Sequence, residues 1–217
     1  MAAAKKASKA KEAEETKEVL NIPALELKTM TIRIVGDSPL IVHAWSEKAK
    51  KMMLEKQMKK ATNGRAVRDP FREYTDALYW LSEKPENPTQ EDVDNGTFGF
   101  PTVAFKACAI NAGFQQGILD KKTTARGAFH IIGEFAVIDG KPQMREDMVR
   151  LGGITSPADL RYRPEFANWS TTLTIQYNTK AITAEQIANL LNVGGFANGV
   201  GEWRPEKDGQ FGMFHVE

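Results

Sequence analysis

The residue types best suited to recognition chemistry lie close together near the C-terminus: Gly194-Gly195-Phe196-Ala197-Asn198-Gly199-Val200-Gly201-Glu202-Trp203-Arg204-Pro205-Glu206-Lys207-Asp208-Gly209-Gln210-Phe211-Gly212. Glycines such as Gly199 and Gly201 remove side chains where another backbone must come close. Trp203 offers a ring face, and Arg204 and Lys207 offer positive charge. Together they suit a ligand of stacked rings and phosphates, that is, nucleic acid. A helix end followed by an ordinary long turn would use the same glycines.

A second candidate is cationic. Lys48, Lys50, Lys51, Lys56, Lys59, Lys60, Arg65, Arg68 and Arg72 fall within one short span. On a helix they cannot all point one way, yet together they make a positive surface that would release counterions from a phosphate backbone; a merely solvated helix face is the alternative. Lys106, Lys121, Lys122 and Arg126 form a further cluster. Catalytic chemistry is sparse. His43 follows the turn Gly36-Asp37-Ser38-Pro39 and could face Asp37, a pairing compatible with acid–base work on a phosphodiester without a metal. His130 and His215 fall in strand-like segments, where a structural role is expected. No phosphate-binding loop, metalloprotease helix or nucleophile elbow is present in the sequence, so no cofactor is called for and a non-enzymatic role is preferred.

Composition narrows the classes. The chain has 217 residues, 41% hydrophobic and 26% charged, which suits a soluble globular protein. Its formal net charge of +1 excludes a uniformly basic binder, so any polyanion contact must rest on local clustering. Cys108 is the only cysteine, which rules out an internal disulfide and fits a reducing cytoplasm. The sequence contains no apolar run of the roughly 20 residues that spans a bilayer and no signal-peptide pattern, so no membrane partner is expected.

The elements that must position these residues follow from periodicity. Residues 1–23, rich in Ala, Lys and Glu, have nothing to bury and read as a flexible tail before one domain over 24–217. Met30, Ile32 and Ile34 alternate with Thr29, Thr31 and Arg33, giving a half-buried strand over 25–35. A helical insertion covers about 46–98: a lysine-rich helix from Ser46, a second helix after Asp69-Pro70, then loop over 85–99. Val103, Ala107, Ile110 and Phe114 give a small-residue helix opened by Phe100-Pro101. A buried strand is read over 129–138, and a long connection over 141–164 has the length for its own hairpin. Trp169, Thr171, Leu173, Ile175 and Tyr177 alternate with hydroxyl and amide residues in the clearest strand of the chain. Thr183-Ala184-Glu185-Gln186 is a capping box for a short helix ending at Gly194-Gly195, and a last strand spans 211–216.

With the insertion set aside, the order strand, helix, strand, strand, helix, strand predicts an α+β fold. It is the ferredoxin-like βαββαβ antiparallel sheet, with both helices on one face, as in RNA-recognition modules.

Two segments in these places resemble the repeat-associated mysterious protein (RAMP) superfamily, which supplies backbone subunits of CRISPR effector complexes. Phe100-Pro101-Thr102-Val103-Ala104-Phe105-Lys106-Ala107 is similar to the start of that family's first helix, and the Gly194 to Gly212 stretch is similar to its glycine-rich loop. Gly201-Glu202-Trp203-Arg204-Pro205-Glu206-Lys207 also resembles a segment of small tailed-phage proteins. The RAMP resemblance implies a self-assembling protomer that forms a filament or ring and holds single-stranded RNA or DNA along Lys106 and the loop from Gly199 to Arg204. It implies that 141–164 corresponds to a protruding hairpin. Asp37 is the nearest counterpart of an RNA-cleaving aspartate in type III subunits, although its flanking residues differ. Glu202, Glu206 and Asp208 stand where the family is more basic. An assembly protein that uses the same fold without nucleic acid is the second expectation.

Overall fold

The computed structural model describes residues 23–45, 50, 53–55, 57–58, 68–150 and 157–217. The elements in chain order are β1 (Leu27–Gly36), β2 (Leu40–Ile41), α1 (Pro70–Asp76), α2 (Gln90–Asn95), β3 (Gly99–Pro101), α3 (Thr102–Gln115), α4 (Lys122–Ala128), β4 (Phe129–Ile131), β5 (Phe135–Val137), β6 (Pro142–Arg150), β7 (Ala158–Phe166), β8 (Ser170–Asn178), α5 (Ala184–Ala197), a 3-10 turn (Pro205–Lys207) and β9 (Phe214–Val216).

The alternation along β1 and β8 determines the main sheet, a four-stranded one in the order β4-β8-β1-β9 with every neighbouring pair antiparallel. Ile32, Ile34, Leu173, Ile175 and Phe129 turn to one face and are buried. That face packs on α3 and α5, which also pack on each other. On the opposite face Thr29, Thr31, Arg33, Thr172 and His130 are exposed. The apolar layer therefore sits between the sheet and the two long helices, with Phe105 at its centre and fully buried. The Phe105 ring meets Phe100, Phe214 and Trp169 at centroid distances of 5.8, 5.6 and 6.5 Å. The indole N–H of Trp169, taken out of water, donates to the Ser38 carbonyl at 2.8 Å.

The connection over 141–164 forms a hairpin, β6 against β7, with β2 added at the β7 side. α1 packs on this hairpin: the Tyr74 hydroxyl donates to the Pro142 carbonyl at 3.1 Å, and Arg68 pairs with Glu73 and Asp159 while donating to the Leu160 carbonyl. Asp69 caps α1 as its Asp-Pro start predicts, accepting from the Arg72 N–H at 3.1 Å.

Three expectations are corrected. The segment 129–138 is not one strand: β4 joins the main sheet, whereas β5 pairs with β3. The break falls at Gly133 (φ 92°), whose carbonyl accepts from the Thr102 hydroxyl at the start of α3. The loop expected over 85–99 contains α2, capped reciprocally by Thr89 and Asp92, and only Val93 of this helix is buried. Its apolar period is too thin to read. The third concerns α5, which does not end at Gly194-Gly195 but runs through them to Ala197. A Cβ on Gly195 would lie 1.9 Å from the Phe214 carbonyl oxygen, and one on Gly194 would lie 2.9 Å from the Ala109 backbone. These glycines let α5 press against β9 and α3. The tail, apart from Pro23, and most of the lysine-rich helix fall outside the described residues.

Candidate nucleic-acid interface

The start of α3 and the loop after α5 face each other. The peptide carbonyl of Ile41 accepts from the Glu202 N–H at 2.9 Å, and the Gly212 N–H donates to the Pro39 carbonyl at 2.8 Å, so the loop lies along β2 and the residue before it. Gly199 (φ 63°) and Gly201 (φ 81°) make this path possible: both are in the left-handed region, and a Cβ on Gly201 would stand 2.4 Å from the Ile41 oxygen. The result is a cleft of about 250 Å³. Pro101, just before α3, and Ala104, Ala107, Cys108 and Asn111 of α3 form one wall, and Gly199 to Glu202, Arg204 and Glu206 form the other. His43, Tyr79 and Phe100 close it.

Its polar groups are arranged around Glu202. The His43 Nδ1 stands 3.5 Å from Glu202 Oε1, a long ion-pair contact between two side chains that are each 41% exposed. That ring, reinforced by Arg163 and Arg204, holds the Glu202 carboxyl below the usual carboxylate value against the opposing effect of burial. Arg204 clasps Glu206 at 2.8 Å and donates to the Gly201 carbonyl at 3.0 Å, which ties the loop to itself. The Tyr79 hydroxyl donates to the His43 carbonyl at 3.3 Å, and burial pushes its pKa up. Cys108 is also buried, and its thiol is pushed up to about 12. Next to Glu202, Trp203 adopts φ 52° and stands 40% exposed. A bulky side chain at positive φ is costly, of order 1–3 kcal/mol, and persists only where the surroundings enforce it. Here the Trp203 carbonyl accepts from the Phe211 N–H at 3.1 Å.

The remaining sequence-derived candidates separate into groups. Lys48, Lys51, Lys56, Lys59, Lys60 and Arg65 lie outside the described residues. Arg68 is engaged at the hairpin, as above. Lys106 does not share the cleft: at about 100° per residue it points roughly opposite to Ala104 and Cys108. Its ammonium donates to the Arg126 carbonyl at 2.8 Å, sits 3.3 Å from His130 Nδ1 and lies over the Phe129 ring. Burial, and then Arg126, lower its pKa. Lys122 lies 5.0 Å over the Phe114 ring. Lys121, Arg126 and Lys207 are exposed and make no ion pair among the described residues. Lys106 and Arg126 thus meet beside β4, away from the cleft that Arg204 lines.

The pairing expected between His43 and Asp37 is also corrected. Asp37 lies beside His215, and His43 has Glu202 as its neighbour. The turn at Gly36-Asp37 lies against β9, with the Asp37 N–H donating to the Met213 carbonyl at 2.8 Å, so Asp37 is held at the β9 edge. Glu202, Tyr79 and Asn111 were not legible as members of one site. They come from three distant segments, and Glu202 in particular read as an acid out of place in a cationic loop.

The fold and the cleft define an α+β protein built on antiparallel sheets. The chain is similar to the crystal structure of Cmr6 from Pyrococcus furiosus, at 10% identity over 89% of this chain and 100% of that chain, with a TM-score of 0.44. No protein-family model and no curated protein sequence matches the chain. Among the described residues, no helix is long and apolar enough to cross a membrane.

Proposed function

We propose that this chain is a RAMP-like, non-enzymatic protein that binds single-stranded nucleic acid and self-assembles. One observation carries the reading: the two segments that resemble the RAMP contact regions, the start of α3 and the glycine-rich loop, line a single cleft, with Trp203 exposed beside it. The strand order β9-β1-β8-β4, with α3 and α5 on one face, supports a ferredoxin-like core of the kind used by RNA-recognition modules. Trp203 stacks a base, and Lys207 lies beside the backbone. Lys106 and Arg126 serve a strand long enough to pass β4. Copies associate through exposed apolar side chains on the long helices, Val103 and Phe196, at 68% and 75% exposure. A filament or ring, and a phage role, follow from the resemblances alone.

Anisotropy of labelled single strands tests this. Trp203→Ala is expected to weaken binding by about 1–3 kcal/mol, the usual worth of one stacked base, and raised salt should weaken it steeply. No binding at low salt, or binding indifferent to Trp203→Ala, overturns the reading.

A second reading, an assembly protein without nucleic acid, is favoured by one feature: Arg68 and Arg204 are already neutralised by Glu73, Asp159 and Glu206. Large particles by light scattering with no 260 nm absorbance would select it.

A further inference from the structure

The cleft beside Trp203 is too small for a whole nucleotide chain and too polar for an apolar plug. At about 250 Å³ it falls below the roughly 300–1,000 Å³ of pockets for drug-sized ligands, so it holds one ring system. Tyr79 and Phe100, whose rings meet edge to face at 6.0 Å, close it next to the wall of small residues that includes Ala104 and Ala107.

Its hydrogen-bonding groups are unbalanced. The Glu202 carboxylate brings two acceptor oxygens, and among the described residues it is touched at one of them, at 3.5 Å, by His43. Asn111, half-buried on the facing wall, brings an amide that can donate. Arg204 and Glu206 satisfy each other and have little left for a ligand. A half-buried carboxylate whose ionised form is favoured by His43, Arg163 and Arg204 suits a ligand with two parallel donors, because bidentate, charge-assisted pairing is the strong form of such contacts.

Among the bases only guanine offers that edge, its ring N1–H and exocyclic N2–H₂ side by side, with the O6 carbonyl next to them. Adenine and cytosine place an acceptor beside their amino group, and uracil has one N–H between two carbonyls. We propose that this cleft is a guanine subsite: Glu202 accepts from N1–H and N2–H₂, Asn111 donates to O6, and the ring lies against Tyr79 and Phe100. The subsite deepens the single-strand reading, on which it rests, by giving the strand a preferred base.

The test is calorimetric titration of the full chain with GMP, IMP, AMP, CMP and UMP. GMP is expected to bind at least about tenfold more tightly than the others, the low end of what one bidentate base contact discriminates. IMP, lacking the N2 amino group, should fall on the weak side. Glu202→Gln should abolish the GMP preference, with circular dichroism confirming that it folds; Asn111→Ala is the second variant if it does not. Equal affinities, no GMP binding, or a GMP preference untouched by both variants overturns the proposal. Parallel anisotropy with guanine-free and guanine-containing oligomers separates the two readings. Strands bound without preference sink the subsite alone, whereas GMP bound without any strand binding sinks the single-strand reading alone.

Discussion

Asp37 Oδ1 lies 2.6 Å from His215 Nδ1, joining the turn after β1 to the last strand. Both side chains are about half exposed, at 45% and 50%, so solvent screens the pair. A double-mutant cycle with Asp37→Asn and His215→Asn should give a coupling below about 1 kcal/mol, falling further in high salt. Urea denaturation measures it. A coupling above about 2 kcal/mol would mean that the pair is more sheltered than this exposure allows.

Gly195 and Gly127 should respond in opposite directions to the same substitution. A methyl at Gly195 meets the Phe214 carbonyl at 1.9 Å, and backbone cannot yield as a side chain can, so Gly195→Ala should cost at least about 1–3 kcal/mol. Gly127, within α4, has nothing within 4 Å of its Cβ direction. There alanine removes unfolded-state freedom and should stabilise by about 0.4–1 kcal/mol. Paired thermal melts check both signs. A neutral Gly195→Ala would show that α5 and β9 are not in contact as described.

This contrast also shows where sequence reading works and where it stops. The period-2 pattern of Ile32 and Ile34 and of Leu173 and Ile175 is local, and so is the Thr183–Gln186 box; strands and helix starts could be read from them. Gly194 and Gly195 looked like a helix end because a glycine's local effect is to weaken helix, whereas their actual role is set by Ala109 and Phe214, far along the chain. The partners of ionisable groups were lost in the same way. Nothing near His43 in sequence announces Glu202, and nothing near Asp37 announces His215. Lys106 was legible as a lysine on a helix, but which face it occupied depended on Arg126 and β4.

The hairpin carries an imperfect buried pair. Arg163 and Asp147 each have side chains only 10% exposed, their closest ion-pair contact is 3.9 Å, and among the described residues Arg163 Nε and Nη1 and Asp147 Oδ2 have no hydrogen-bond partner. Asp147 also holds Arg145 at 2.8 Å, while Arg145 lies over the Phe211 ring. Arg145 keeps Glu165 at 2.6 Å, but removing the carboxylate leaves the buried Arg163 guanidinium without its counter-ion, so Asp147→Ala should cost about 3–5 kcal/mol. Arg163→Met removes donors that are already unsatisfied and should be far milder, below about 1 kcal/mol or stabilising. Chemical denaturation of the two variants decides. Equal losses would show that Arg163 contributes as much as Asp147.

Glu202 makes stability depend on pH in a defined direction. Its folded-state pKa is lowered from the ordinary 4.5, first by His43 and then by Arg163 and Arg204, so the folded protein binds this proton less readily than the unfolded chain does. Stability from Glu202 is therefore fully present above 4.5 and is lost as pH falls through the lower folded value. Glu202→Gln lacks that titration. The stability gap between native protein and variant should be constant from neutral pH down to the ordinary carboxylate value and close below it. Denaturant titrations across this range measure the gap. One that stays open in acid would mean that Glu202 contributes through packing rather than through the charge that His43, Arg163 and Arg204 stabilise.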